Sequence, residues 1–181
     1  MLAVYGRTIA VQRTLPLRQH ATQVKASLQS RGMMLWVTNI FNRMDHSQLH
    51  NEGPDKTASD FVLRMGGLAK ICETPTTPEK DYSNWLMQPS DYPKYVRTGM
   101  SLREVNLDKV TVTDMGMEHF RNLSGLMSIS LKSCKYITDE GMDYLLEGNP
   151  VLRTIDISDT NVTPAKRDSL KKLNGVTVIS D

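Results

Sequence analysis

One pattern constrains this chain more than any other. Leu102-x-x-Val105-x-Leu107 returns as Leu126-x-x-Ile129-x-Leu131 and again as Leu152-x-x-Ile155-x-Ile157, at offsets of 24 and 26 residues. A short strand followed by a helix at this period folds back so that each strand lands beside its predecessor. Neither element can bury its apolar side alone, and stacked neighbours make the core continuous. Behind each strand lies a second shared stretch: Val112-Thr113-Asp114-Met115-Gly116-Met117, then Ile137-Thr138-Asp139-Glu140-Gly141-Met142, then a degraded Val162-Thr163-Pro164. The Thr or Asp there can cap a following helix, whose inward residues are expected to be Phe120 and Leu123, Leu145 and Leu146, and Leu170 and Leu173.

Motif and period are those of a leucine-rich repeat. The expected fold is therefore α/β: a short solenoid of three repeats over residues 102–181, with parallel strands and outer helices. The helical segment before Leu102 would shield the first repeat, and Val176-Thr177-Val178-Ile179 would add a last edge strand. Cys134 falls in the turn after the second strand, where a buried structural thiol is expected, since a free Cys packs as a small hydrophobe. Asp108, Asp114, Asp139, Asp156 and Asp159 recur with the repeats, so architecture accounts for them before catalysis does. Repeat arrays bind partners, and the chain reads as a binding or assembly protein, not an enzyme.

Residues 33–101 read as an N-terminal capping segment. From Met33 to Lys70 helices are expected. Leu35, Trp36, Ile40, Phe41 and Met44 make one apolar stripe, ending near Asp45 and His46. Gly53-Pro54-Asp55 is a turn, with Asp55 placed to cap a second helix that faces Phe61, Val62, Met65 and Leu68 inward. Gly66-Gly67 signals helix termination or a close backbone approach. Residues 72–101, with four prolines and Tyr82, Trp85, Tyr92 and Tyr95, form a long irregular connection, either a packed connector or a binding platform.

Charge is segregated along the chain. Residues 1–44 hold six of the 22 basic residues and no Asp or Glu, so the remaining 16 stand against all 20 acidic ones from residue 45 onward. An acid-free, Arg-spaced, Ser/Thr-bearing start has the composition of a mitochondrial transit peptide, expected over residues 1–32; a basic tail touching nucleic acid or anionic lipid is the alternative. The acidic remainder lacks a basic stripe with interleaved aromatics, which argues against nucleic acid as a partner. No apolar run approaches the roughly 20 residues of a membrane span. Two cysteines far apart do not suggest a disulfide framework. His46 and His50 lie four apart with no third ligand nearby in sequence, and there is no P-loop, dinucleotide fingerprint or Gly-x-Ser-x-Gly elbow.

Asn39-Ile40-Phe41-Asn42-Arg43-Met44-Asp45, followed by Gly53-Pro54-Asp55-Lys56-Thr57-Ala58-Ser59 and Leu63-Arg64-Met65-Gly66, resembles the N-terminal domain of the mitochondrial ATP synthase coupling factor B (subunit s) family. The likeness runs over roughly residues 35–181. It implies a non-catalytic protein peripheral to the matrix side of the inner membrane, partnered by membrane-sector subunits of ATP synthase and supporting coupled proton transport and ATP synthesis. It also implies a magnesium ion held mainly through backbone atoms at Gly66 and at Asp108. Two departures limit the transfer: residues 108–113 contain no Cys where the family has thiols, and the array is one repeat shorter. A related paralogue that assembles the distal membrane arm of respiratory complex I shares the Gly-Gly and the repeats, and makes complex I assembly intermediates the alternative partner. A leucine-rich-repeat substrate adapter in ubiquitin ligation is a third reading, although no F-box-like segment precedes the array.

Overall fold

A computed structural model describes residues 35–73 and 100–180. The expected transit peptide and nearly all of the Pro- and aromatic-rich connection lie outside them. The chain divides into two compact units, residues 1–36 and residues 37–181, and the account below concerns the second.

The upstream segment departs from its expected course in four places. Helix α1 (35–42) leaves Ile40 and Phe41 54% and 60% exposed, so its apolar stripe is not a core face, while Asn42 on the same helix is fully buried. Asp45, expected to close α1, instead opens helix α2 (His46–Glu52): its carboxylate accepts from the backbone N–H of Ser47 at 2.9 Å and of Gln48 at 3.4 Å. Helix α3 (Pro54–Arg64) starts from Gly53 at φ 83° with Pro54 in its first turn, so Asp55 is not the cap. Its carboxylate reaches across the fold to accept from Leu102 N at 2.7 Å. Burial pushes the Asp55 carboxyl above its ordinary range, and that hydrogen bond partly restrains the shift.

Helix α3 ends at the glycine pair, which serves both purposes expected of it. Gly66 takes φ 84°, and at Gly67 a Cβ would lie 2.7 Å from the Asn106 carbonyl oxygen. Leu68, expected on the inner face of α3, begins strand β1 (Leu68–Glu73). The left-handed turn at Gly66 halts the helix, and the residues after it alternate, with Ala69 and Ile71 buried. β1 runs antiparallel to β2 (Met100–Asn106), from Leu68 opposite Asn106 to Glu73 opposite Met100.

The sheet then continues in chain order through β3 (Ser128–Ser130), β4 (Thr154–Asp156) and β5 (Thr177–Ile179), all parallel to β2. Val105, Ile129, Ile155 and Val178 lie in one register row, and the residues aligned from sequence, Leu102, Leu126 and Leu152 with Leu107, Leu131 and Ile157, are all at most 3% exposed. The turn after each of the first three parallel-row strands repeats too: Lys109, Ser133 and Asp159 occupy equivalent positions with φ of 62°, 62° and 58°. Helices α4 (Asp114–Met117, continued by a 3-10 turn over Glu118–Phe120), α5 (Asp139–Leu146) and α6 (Pro164–Lys171) follow β2, β3 and β4. Phe120, Leu123, Leu145 and Leu170 are buried as expected, and Leu146 is partly buried against the core. Leu173 is not inward: it is 39% exposed just past α6, where no further strand–helix unit stands beside it.

A carboxylate ladder joins the units. Asp114 accepts from Thr138 N at 2.8 Å, Thr138 Oγ1 at 2.7 Å and Gly141 N at 3.0 Å. One unit later, Asp139 accepts from Thr163 N at 2.8 Å and Thr163 Oγ1 at 2.7 Å. Before the first unit, Asn42 takes the same place and accepts from Thr113 N at 3.1 Å while donating to the Thr38 carbonyl at 2.8 Å.

Candidate functional site

The sheet face opposite the helices carries short polar side chains in two rows. Glu104, Ser128, Thr154 and Thr177 form one, and Asn106, Ser130 and Asp156 the other, which ends on the exposed apolar Ile179. Lys70 of β1 pairs with Glu104 at 2.9 Å. Such a face offers hydrogen-bonding groups to a partner. Cys134 takes no part in it. The thiol is fully buried and donates to the Leu107 carbonyl at 3.0 Å, and burial pushes it up to about 11, so it stays protonated and fills the structural role expected of it.

Gly66 and Asp108, the residues implied as magnesium ligands, lie two positions beyond the last paired residues of β1 and β2. The last pair of the β1–β2 ladder is Leu68 opposite Asn106, and Gly67 packs against the Asn106 carbonyl. The Asp108 carboxylate is held in place by Ser130 Oγ and by Lys132 N at 3.2 Å, with Asn106 Nδ2 at 3.5 Å from its second oxygen. The Asp108 carboxylate alone is one ligand of the kind a hard cation takes while keeping most of its waters.

A cavity of about 630 Å³ lies against α2 and the 3-10 turn, bordered by His46, His50, Glu118, His119 and Arg121. The histidine pair noted in the sequence thus shares its cavity with a third imidazole. Among the described residues, however, no three His, Cys, Asp or Glu side chains are arranged to hold a metal ion. His119 is 3% exposed and stacks on Phe61 with ring centroids 4.1 Å apart, and neither of its ring nitrogens has a hydrogen-bond partner. Burial, followed by the Arg64 cation, pushes it down to about 4, which keeps it neutral at physiological pH.

No family model matches the chain. Among curated proteins it is 26% identical to mouse "ATP synthase subunit s, mitochondrial" over 66% of its own length and 56% of the relative's. The bovine protein of the same name is 28% identical over the same shares, and the human one 26% identical over 71% of this chain and 60% of its own. The chain is a relative of ATP synthase subunit s. It spans somewhat over half the length of the curated subunit s proteins it matches.

Seen as a subunit s relative, the chain divides its features between what repetition foretells and what it does not. Gly66 and Asp108, implied by the resemblance, flank the end of the β1–β2 ladder. The sequence singles out neither His119 nor the long-range contact of Asp55, which it places as a helix cap. His119 is buried by Phe61, 58 positions earlier, and Asp55 bonds a backbone amide 47 positions later. No local signal in the sequence announces either contact. Among the described residues no helix is long and apolar enough to cross a membrane.

Proposed function

We propose that this protein is a non-catalytic mitochondrial accessory component of ATP synthase, built on a leucine-rich-repeat array and acting by surface contact at the matrix side of the inner membrane to support coupled proton transport. The observation that carries the reading is the similarity to subunit s proteins over about two thirds of the chain. The polar sheet face supports it, since it offers a hydrogen-bonding surface. Affinity purification of the tagged endogenous protein from mitochondria tests it. Recovery of membrane-sector subunits of ATP synthase is the expected result, and a preparation free of synthase subunits rejects it.

The same reading includes magnesium at Gly66 and Asp108. The ion would supply electrostatic cross-linking between the turn after α3 and the turn after β2, with the Asp108 carboxylate and the Gly66 carbonyl as protein ligands. Magnesium is expected to raise the melting temperature of the wild-type chain and leave that of Asp108→Asn unmoved. Equal shifts in both proteins dismiss the site.

A further inference from the structure

The strand units leave a second cavity, of about 290 Å³, away from the polar sheet face and from His119. Its lining is written in the repeat itself. Arg103, Met127 and Arg153 each follow the first buried leucine of a unit, and Ser101 and Gly125 each precede it. Backbone bonds tie the first row together: Met127 N donates to the Arg103 carbonyl at 2.8 Å, and Arg153 N to the Met127 carbonyl at 2.8 Å. Two strand spacings therefore separate the arginine backbones, about 10 Å, with the Met127 thioether between them.

Neither guanidinium has a carboxylate partner among the described residues. Arg103 Nη1 donates to the Cys72 thiol at 3.5 Å and Arg153 Nη1 to the adjacent Leu152 carbonyl at 3.1 Å. Neither contact neutralises a charge. By contrast Lys56, Lys70, Arg121, Lys135 and Lys166 all pair with acids. The floor is kept open by Gly125, where a Cβ would stand 2.5 Å from that of Ser101. Ser101 itself is 8% exposed, and Ser124 sits at the rim. Two guanidinium forks lining one small cavity with two serine hydroxyls suit the tetrahedral oxygens and double charge of a phosphoryl group, which arginine binds through paired N–H donors.

We propose that Arg103 and Arg153, with the hydroxyls of Ser101 and Ser124, form a binding site for a phosphate monoester. The site does not depend on the relation to ATP synthase. One phosphoryl group bridges the two guanidinium arms, and the cavity volume leaves room for a small substituent.

The test is calorimetric titration of the full chain with glycerol 3-phosphate and, separately, co-sedimentation with phosphatidylcholine vesicles with and without phosphatidic acid. Saturable binding is expected to weaken about tenfold or more in Arg103→Gln and in Arg153→Gln, the loss of a charge-assisted hydrogen-bond pair, and to be unchanged in Lys172→Gln at the far end of α6. Arg153→Lys, which keeps the charge without the fork, should fall in between. Binding to the free monoester assigns a soluble ligand, and binding only to phosphatidic acid vesicles assigns a lipid headgroup with the same chemistry. Absence of saturable binding to both probes, or an equal loss in Lys172→Gln, overturns the site. Arg153 is exposed, so its variants carry the test if Arg103→Gln fails to fold.

Discussion

At His119 the fold holds an imidazole that an unfolded chain would protonate near pH 6.5, yet in place it titrates at about 4. The sign follows from proton counting. Between those values the unfolded state binds the extra proton, so stability falls as the pH drops through this window and the loss is complete below about 4. The whole effect is at most roughly 3 kcal/mol. His119→Phe keeps a ring against Phe61, removes two unpartnered nitrogens and should flatten the acid limb of stability measured by urea unfolding from pH 7 to pH 4. An unchanged limb would mean that another group drives it. Sequence alone could not have raised this expectation. The neighbouring Phe120 is assigned to the core by its place in the repeat, whereas His119 owes its burial to Phe61, a residue of a helix outside the repeats. The glycines were easier to read, because Gly66 and Gly67 announce a backbone demand that no other residue meets cheaply.

Between elements, the ladder changes what a helix cap means here. Thr138 stands at the N-cap of α5 but makes no capping bond with its own side chain. The acceptor for the third helical amide, Gly141 N, is Asp114 of the preceding unit, so the cap is supplied from outside the helix. Asp114→Ala should cost about 0.5–2 kcal/mol, the usual worth of a cap, and should speed hydrogen exchange at Thr138 and Gly141 selectively. Uniform acceleration across the chain would show that the residue acts globally instead. The Thr-Asp pairs were visible as repeated text, and the strands with them, because three aligned copies reinforce one another. Helix α2 was not visible: His46-Ser-Gln-Leu-His-Asn-Glu52 has one apolar residue and no period to detect. β1 was hidden for a related reason. Its six residues directly follow a helix, and their alternation emerges only once the turn at Gly66 is known.

Over the whole unit, Ile129 occupies the middle of the register row, between Val105 and Ile155, and is fully buried. Ile129→Ala should destabilise the chain by roughly 2–5 kcal/mol in chemical denaturation. Because β1 and α3 close one flank of the sheet and share its core, the loss should appear as a single shifted transition, monitored by circular dichroism and by hydrogen exchange in both α3 and the parallel strands. Two separated transitions would reveal that the upstream helices unfold on their own. The ladder also gives the stack a grammar with one reading direction. Every rung is an acceptor that belongs to the earlier unit and a donor that belongs to the later one. Pruning from the far end strands only an acceptor that water can solvate, whereas pruning ahead of the first unit removes Asn42 and strands the buried amide of Thr113. A nascent chain meets the favourable case at each step, since every new unit emerges to find its acceptor already in place.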